Sequence, residues 1–149
     1  MKITYRGDYA LKTILDLALH YGELVHIEEV AERQDIPIKF LEQILLTLKN
    51  GGFVRSKRGP GGGYTLTRPP SEVTVGEVIR FIEGPIEPIA CVEPEYDGCD
   101  FQDGCSFRDV FAQVSSAVSK IVDGLTFEDM KQRTLKKEKE YAQSYVYHI

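Results

Sequence analysis

The chain has 149 residues, of which 42% are hydrophobic and 28% are charged, and its formal net charge is -5. This length allows one compact domain with an appendage. No run of roughly 18 apolar residues is present, and the N-terminal sequence MKITYRGDYALK lacks the apolar segment of a secretory signal. The composition excludes a membrane-spanning role and predicts a soluble, cytoplasmic protein with no membrane partner.

The charge is distributed unevenly along the chain. Residues 1–70 hold 10 lysines and arginines against 8 acidic residues, a net charge of +2, whereas residues 71–149 hold 8 against 15, a net charge of -7. The overall acidity therefore does not exclude a nucleic-acid partner for the N-terminal half. The acidic C-terminal half is instead expected to dimerise or to sense a signal.

The N-terminal part of the chain is predicted to be helical. The segment 8–21 has apolar residues at helical spacing and ends before Gly22. Residues 25–27 are expected to add a short strand to a later hairpin. Residues 28–34 are predicted to form a short helix with its apolar residues inward, followed by a turn into a third helix.

The third helix follows the turn at 35–37 and ends at Gly51. Its buried face is predicted from apolar residues at i, i+3, i+4 and i+7, which are Leu41, Ile44, Leu45 and Leu48. At about 100° per residue, Lys39, Glu42 and Gln43 then lie together on the solvent side. In a major groove, Gln can bond adenine, Glu can accept from cytosine N4, and Lys can reach guanine or phosphate. These three side chains are candidates for reading bases.

Two β-prone runs, 53–57 and 64–67, follow this helix and are joined by the loop RGPGGG at 58–63. The glycines permit positive φ and close backbone approach. Between positions 49 and 68 there are no acidic residues and five basic residues, namely Lys49, Arg55, Lys57, Arg58 and Arg68. A helix followed by a basic hairpin is the outline of a winged helix, and a phosphate backbone would favour this stripe. A solvated hairpin with a mobile tip is the alternative.

Pro69 and Pro70 end the hairpin. The sequence TVGE at 74–77 predicts a capping box, in which the threonine hydroxyl and the glutamate carboxylate satisfy free amides of a helix that reaches about Glu83. Residues 84–105 have no helical or strand period and contain three prolines and six acidic residues. A loop this long inside a compact protein is usually functional or disordered.

After this loop a long helix is predicted from apolar residues at alternating spacings of four and three: Phe107, Phe111, Val114, Val118, Ile121 and Leu125. This heptad seam indicates pairing with a second copy of the chain, and packing against the chain's own domain is the alternative. Thr126 is then expected to cap a short polar helix, with the lysine-rich stretch 131–139 as a solvated face. The aromatic end, 141–149, could pack on the dimer.

The three cysteines, Cys91, Cys99 and Cys105, all lie in the long loop. An odd number of cysteines in a cytoplasmic chain argues against a disulfide framework. The thiolates could hold an iron-sulfur cluster with one further ligand, or zinc with one other group, although the short zinc-type spacing is absent. A redox-sensing thiol with a resolving partner is a third interpretation. The spacing alone does not decide between these three chemistries and thiols that bind no ligand.

The chain contains a diagnostic combination of sequence motifs. They are the opening MKITYRGDYAL, FLEQIL, the wing RGPGGGY, TVGEVI, IEGPI, and the cysteines just ahead of the long helix. The chain resembles the bacterial winged-helix regulators of the IscR, NsrR and CymR type, the Rrf-two family, from Met1 to about Met130. The resemblance implies a mainly α fold with a small β-wing, in which a winged helix-turn-helix domain precedes a long dimerisation helix. It also implies a homodimer that binds double-stranded operator DNA as a transcriptional regulator, here a repressor.

The resemblance extends to individual DNA-binding positions. In the family, side chains of the third helix face the major groove, and the tip of the wing enters the minor groove. The matching positions are Lys39, Phe40, Glu42 and Gln43 on the helix and Arg58, Pro60 and Gly61 on the wing.

Family members with three cysteines before the dimer helix hold an iron-sulfur cluster, 2Fe-2S or 4Fe-4S, that controls affinity for DNA and would fall on Cys91, Cys99 and Cys105. Here seven residues separate the first two cysteines, where the well-known pattern has five. The IscR-type branch takes a histidine three positions after the last cysteine, where this chain has Arg108, which cannot ligate. The NsrR-like branch uses an acidic residue near the N-terminus of the partner subunit, and Asp8 occupies that position. Capping of the first helix is the alternative role of Asp8.

The predicted organisation is a winged helix-turn-helix domain over 1–83, a cysteine-bearing sensor loop over 84–106, and a dimerisation helix with a C-terminal tail over 107–149. The favoured function is a regulator whose iron-sulfur cluster senses redox state, nitric oxide or iron-sulfur status. In the alternative, a cluster-free regulator of cysteine metabolism responds to thiol oxidation, zinc or a regulatory protein that docks at Ile149. An enzyme is disfavoured because no histidine lies near the cysteines and the wing matches no phosphate-binding motif.

Overall fold

The computed structural model describes residues 2–146, which form a mainly helical fold with one two-stranded antiparallel sheet. The elements are α1 (Tyr5–Leu19), α2 (Ile27–Gln34), α3 (Ile38–Asn50), β1 (Val54–Lys57), β2 (Gly63–Leu66), α4 (Val75–Glu83), α5 (Ser106–Asp123) and α6 (Phe127–Val146). Short 3₁₀ turns lie at Pro70–Glu72, Ala90–Val92 and Gln102–Gly104. The predicted mainly α architecture with a small wing is confirmed. None of the helices in this part of the chain is long and apolar enough to cross a membrane.

The apolar core lies between α1, α2, α3, α4 and the hairpin. The α3 residues predicted to face inward are at most 4% exposed; they are Leu41, Ile44, Leu45 and Leu48. Full burial of one such side chain contributes about 1.5–3 kcal/mol. This burial fixes the rotation of α3 about its axis and therefore determines which of its side chains reach solvent.

Helix α1 begins at Tyr5, three residues before the predicted start. Thr4 is the N-cap, and its Oγ1 accepts a hydrogen bond from the backbone N–H of Gly7 at 3.4 Å. Asp8 does not cap this helix, so that alternative is wrong. The Asp8 carboxylate lies in the first turn, where it is favoured by the helix dipole, and it pairs with Lys12 Nζ at 2.7 Å.

The hairpin is joined through β2 to the segment that precedes α2. β1 and β2 pair antiparallel along their whole length. The strand predicted at 25–27 is reduced to one bridge, in which Val25 and Tyr64 exchange backbone hydrogen bonds of 2.9 and 2.8 Å. It is no longer than this because α2 already begins at Ile27. The bridge ties the wing to the segment between α1 and α2.

The predicted capping box of α4 is only half formed. Thr74 Oγ1 accepts from the Glu77 N–H at 3.1 Å, as expected. The Glu77 carboxylate instead accepts from Arg68 Nη2 at 2.6 Å. The Arg68 guanidinium also lies 5.8 Å from the ring centroid of Phe53. Arg68 thus supports the base of the wing, and its positive charge is already paired with Glu77.

Helix α5 lies where the long helix was predicted and is anchored on α4 through Arg80. The Arg80 guanidinium contacts Asp123 Oδ1 at 2.5 Å and Ser119 Oγ at 3.1 Å. The hydrogen bond to Asp123 raises the pKa of Arg80. A Cβ added at Gly76 would lie 2.0 Å from Asp123 Oδ1, so a side chain at this position would displace the Asp123 carboxylate.

The apolar seam of α5 is rotated slightly from its predicted position. Phe111 and Val118 are half-buried, and so is Leu125 just beyond the helix. The exposed apolar residues on one side of the helix, called here the α5 stripe, are Phe107, Val110, Val114, Ala117 and Ile121. Their spacings of three, four, three and four keep the heptad period. Phe107, Val114 and Ile121 belong to both the predicted and the exposed seam, so the rotation about the helix axis is smaller than the ~100° of one residue.

Helix α6 is much longer than the predicted short polar helix, extending over 20 residues. Thr126 caps it as expected, since its Oγ1 accepts from Asp129 N at 3.1 Å while Asp129 Oδ2 accepts from Thr126 N at 2.9 Å. Phe127 is 2% exposed and belongs to the core. The helix packs on α1 and on the turn Pro70–Glu72, which explains why it persists despite its polar sequence.

The last turns of α6 are exposed. Tyr141 and Tyr145 contact each other edge to face with ring centroids 5.1 Å apart. Val146 is 73% exposed. Residues 147–149, which include the suggested docking residue Ile149, lie outside the described residues. A partner site at the C-terminus stays a prediction.

Candidate nucleic-acid interface and cysteine loop

The solvent side of α3 presents a set of side chains called here the reading face. All of its members are exposed; they are Lys39, Phe40, Glu42 and Gln43. Because the opposite side of α3 is held in the core, this face cannot turn away without exposing buried leucines. The face combines a cation, a carboxylate, an amide and an apolar ring, which are the groups that recognise base edges and thymine methyls.

An aromatic cluster that sequence reasoning missed extends the reading face toward α1. The Tyr9 ring lies 6.3 Å from the Phe40 ring and 6.2 Å from the Tyr5 ring, centroid to centroid. Tyr5 is 82% exposed and Phe40 is 61% exposed. With Arg6 and Gln43 they line a hollow of about 380 Å³. The spacing of the two tyrosines, four residues apart on one helix, was the available signal.

The tip of the wing is a tight turn in which Arg58, Pro60 and Gly61 are exposed. Gly61 has φ = 71°, a conformation that disfavours residues with a Cβ. A Cβ added at Gly62 would lie 2.3 Å from the carbonyl oxygen of Lys57. The glycine-rich sequence is therefore needed for the shape of the tip, which holds Arg58 at the end of the hairpin.

A cleft of about 510 Å³ separates α3 from the wing. Glu42 from the reading face and Arg58 from the wing both line it, together with Lys49 and Lys57. Lys49 Nζ donates to Ser56 Oγ at 2.7 Å and so links the end of α3 to β1. The structure thus brings Glu42 and Arg58 to one cleft, while the other predicted DNA-binding residues lie outside its lining.

The cysteine loop carries three free, half-buried thiols. Cys91 is in the turn Ala90–Val92, Cys105 is the N-cap of α5, and Cys99 lies between them. Three soft thiolates suit iron or zinc in their chemistry. The geometry of the single chain does not assemble them, because no three His, Cys, Asp or Glu side chains in residues 2–146 form a group that could hold a metal ion. Asp8 is not gathered with the thiols of its own chain either.

The start of the cysteine loop is tied to the start of α1. Glu83, the last residue of α4, accepts hydrogen bonds at Oε1 from Thr4 Oγ1 at 2.6 Å and from Thr4 N at 2.9 Å. The bond from the Thr4 hydroxyl is the main cause that lowers the pKa of Glu83. A Cβ added at Gly7 would lie 2.2 Å from Glu83 Oε1. Sequence reasoning had no signal for this contact between residues 79 positions apart.

Comparison with known proteins identifies the family of this chain. A family model described as an iron-dependent transcriptional regulator, Rrf2, matches residues 3–133. An HTH-type transcriptional regulator of Rhodobacter capsulatus described as rrf2-like is 40% identical over 136 residues, covering 86% of this chain and 91% of the relative. The regulator IscR of Aliivibrio salmonicida is 37% identical, covering 87% and 77%. The solved structure of CymR, the global cysteine regulator of B. subtilis, matches with a TM-score of 0.76 and 30% identity, covering 89% of this chain and 98% of CymR.

The winged-helix fold, with an exposed reading face beside a basic wing, defines a DNA-binding transcriptional regulator. The chain belongs to the Rrf2 (Rrf-two) family. The relatives named above are transcriptional regulators, a class of protein that is not enzymatic.

Proposed function

We propose that this chain is a homodimeric repressor that binds operator DNA through α3 and the wing and changes its affinity through Cys91, Cys99 and Cys105. One observation carries the DNA-binding part. Glu42 on the reading face and Arg58 on the wing line one cleft, so a duplex that meets one of them also meets the other. The chain belongs to a family of transcriptional regulators, which supports this proposal.

The reading face suits a major groove, which is about 12 Å wide and admits a helix. Glu42 would accept from cytosine N4, Gln43 would bond adenine through two atoms, and Phe40 would contact a thymine methyl group. Arg58 at the wing tip would enter the minor groove, where negative potential attracts arginine. Lys49 and Lys57 supply positive charge for the intervening phosphates.

Substitutions at Glu42 and Arg58 are expected to have different effects. Glu42→Ala should reduce discrimination at one base position of each half-site by about 1–3 kcal/mol. Arg58→Ala should weaken binding to all sequences and reduce the salt slope by about 2 in a dimer, one contact per wing. Fluorescence anisotropy on an operator and its single-base variants, at several salt concentrations, measures both effects.

The control for these variants is Glu138→Ala, which removes an exposed carboxylate from α6, far along the chain from the wing. It should leave both specificity and salt slope unchanged. If Glu42→Ala weakens binding to every sequence equally, Glu42 does not read a base. If Arg58→Ala keeps the wild-type salt slope, the Arg58 guanidinium does not lie close to the DNA phosphates, and the proposed insertion of the wing tip into the minor groove is wrong.

The dimer is proposed on the α5 stripe. Phe107 is 74% exposed, Val110 is 54% exposed and Ile121 is 62% exposed, all on one side of an 18-residue helix. An apolar stripe at heptad spacing on a long exposed helix favours pairing with a second helix of the same kind. A two-fold pair would present two reading faces to successive major grooves, about 34–36 Å apart.

The three cysteines are the proposed sensor, with a 2Fe-2S or 4Fe-4S cluster as the proposed ligand and Asp8 of the partner subunit as the proposed fourth donor. The description of the matched family as iron-dependent and the similarity to IscR support this assignment. When bound, such a cluster supplies electron transfer and reactivity toward oxidants or nitric oxide. The chain's own contribution is to present three thiols beside the start of α5, the proposed dimer helix. Asp8 would have to leave Lys12, which it contacts at 2.7 Å.

Purification without oxygen tests the sensor directly. We expect broad visible absorption together with iron and acid-labile sulfide, and loss of all three in Cys99→Ser. Because the thiols are not part of the core, each cysteine-to-serine variant should remain a folded dimer. Asp8→Ala should keep the fold and alter the spectrum. A colourless, iron-free protein that also resists reconstitution would exclude the cluster, and unfolding of Cys99→Ser would indicate a structural metal.

The second candidate keeps the DNA-binding role and removes the cluster. The similarity to CymR over 89% of this chain favours it. The signal would then be thiol oxidation, zinc or a regulatory protein bound at the C-terminal tail. An iron-free protein whose operator affinity changes with peroxide, zinc or such a partner would establish this version.

A further inference from the structure

The turn that carries Cys91 is held by a residue seventeen positions later in the chain. Arg108 Nε donates to the carbonyl oxygen of Cys91 at 2.9 Å in a partly buried contact. Arg108 stands in the first turn of α5, where its backbone N–H donates to the carbonyl oxygen of Cys105 at 3.1 Å. One residue thus contacts the backbone of both the first and the last cysteine.

We propose that Arg108 is a positioning residue that holds the Cys91 turn against the start of α5, so that Cys91 and Cys105 move with α5 as one unit. Its importance for sensing rests on the proposed function of the thiols, whereas the positioning itself does not. Arginine suits this task because its guanidinium is a cationic donor with a fixed planar geometry. A charged donor also makes a stronger hydrogen bond than a neutral one.

The middle of the loop is held differently. Gln102 Nε2 donates to the carbonyl oxygen of Tyr96 at 3.0 Å, which closes the segment around Cys99 on itself. The turn Ala90–Val92, in contrast, packs on α5. The loop therefore has two parts, one attached to α5 through Arg108 and one closed locally through Gln102.

Because the loop has these two parts, the three cysteines are coupled to α5, the proposed dimer helix, to different degrees. A bond formed or lost at Cys91 or Cys105 acts on the first turn of α5 directly. The other end of α5 is fixed to α4 by Arg80 and Asp123. A displacement at the start of α5 would therefore tilt the α5 stripe about this fixed end. A change at Cys99 reaches α5 only through the segment that joins it to Cys105.

The test is the iodoacetamide alkylation rate of each cysteine in the reduced, metal-free full-length protein, followed by mass spectrometry. In Arg108→Ala the rate at Cys91 should rise about fivefold, because the turn opens more often once its charged hydrogen bond is lost. The rate at Cys99 should stay within error. Arg108→Lys keeps a long cationic donor and should restore part of the protection. Gln102→Ala, the matched control, should leave Cys91 at its wild-type rate.

Two results would overturn the inference. If Cys91 reacts at the wild-type rate in Arg108→Ala, the hydrogen bond does not hold the turn. If all three cysteines react faster by the same factor, Arg108 supports the general fold and has no selective positioning role. Hydrogen exchange of residues 89–93 provides a second readout and should accelerate in Arg108→Ala but not in Gln102→Ala. A protein that binds no iron yet shows the Cys91-selective change would keep this inference and lose only the cluster.

Discussion

Replacing Arg33 with alanine is expected to lower the free energy of unfolding by about 3 kcal/mol. The Asp16 side chain is completely buried, and Arg33 Nε and Nη2 donate to its two carboxylate oxygens at 2.9 Å each. This hydrogen-bonded pair raises the pKa of Arg33. Loss of the arginine leaves a buried carboxylate whose remaining contacts are Gln34 Nε2 at 3.4 Å and His20 Nδ1 at 3.9 Å. Urea unfolding followed by circular dichroism measures the change.

Substitution of the partner residue Asp16 should lower the free energy of unfolding by less. Asp16→Asn leaves the charge on Arg33, whose side chain is 35% exposed and can reach water. Glu32→Ala, an exposed position on α2, is the control and should change stability by no more than about 0.5 kcal/mol. If Asp16→Asn is the more destabilising variant, the penalty of an uncompensated buried carboxylate is not the reason for the effect.

The double substitution Val114→Asp with Ile121→Asp is expected to produce a monomer and to weaken operator binding more than about 100-fold. Both residues lie on the α5 stripe, so a dimer paired there would bring four carboxylates together in an apolar contact. A monomer reads one half-site and loses the contacts of the other. Analytical ultracentrifugation and fluorescence anisotropy on a two-fold operator measure the two effects.

Ser116→Asp is the control, because it adds one carboxylate per chain at an exposed position on the other side of α5. It should remain a dimer with wild-type affinity. The winged-helix domain of the double variant should remain folded, since the α5 stripe contributes no residue to the core. A double variant that stays dimeric would remove the α5 stripe as the interface. A monomer with undiminished affinity would contradict two-fold reading of the operator.

Local pattern was enough to predict α3 and the wing. The spacing of Leu41, Ile44, Leu45 and Leu48 allows only one buried side in a helix, and Lys39, Glu42 and Gln43 are exposed as a direct consequence. The glycines at the wing tip permit a turn that other residues disfavour. Both features depend on interactions within a few positions of the chain, which is why a sequence pattern reports them.

The length of α6 was missed for a physical reason. Met130, Thr134 and Leu135 are half-buried and follow Phe127 at helical spacing, but lysines between them dilute the apolar signal. Packing of this side on α1 extends the helix, and only the folded chain brings α1 to it. The rotation of the α5 seam has the same origin, because contacts with α4 and the turn Ala90–Val92 decide which side of α5 is covered.

The polar contacts that organise the molecule were equally invisible to local pattern. Thr4 with Glu83, Asp16 with Arg33, and Cys91 with Arg108 are separated by 79, 17 and 17 positions. Helical periodicity and turn-forming residues depend on positions close together in the chain. They therefore specify the helices and strands, their buried sides and the reading face. A hydrogen bond between distant residues depends on the relative placement of whole elements, and core packing sets that placement only in the tertiary structure.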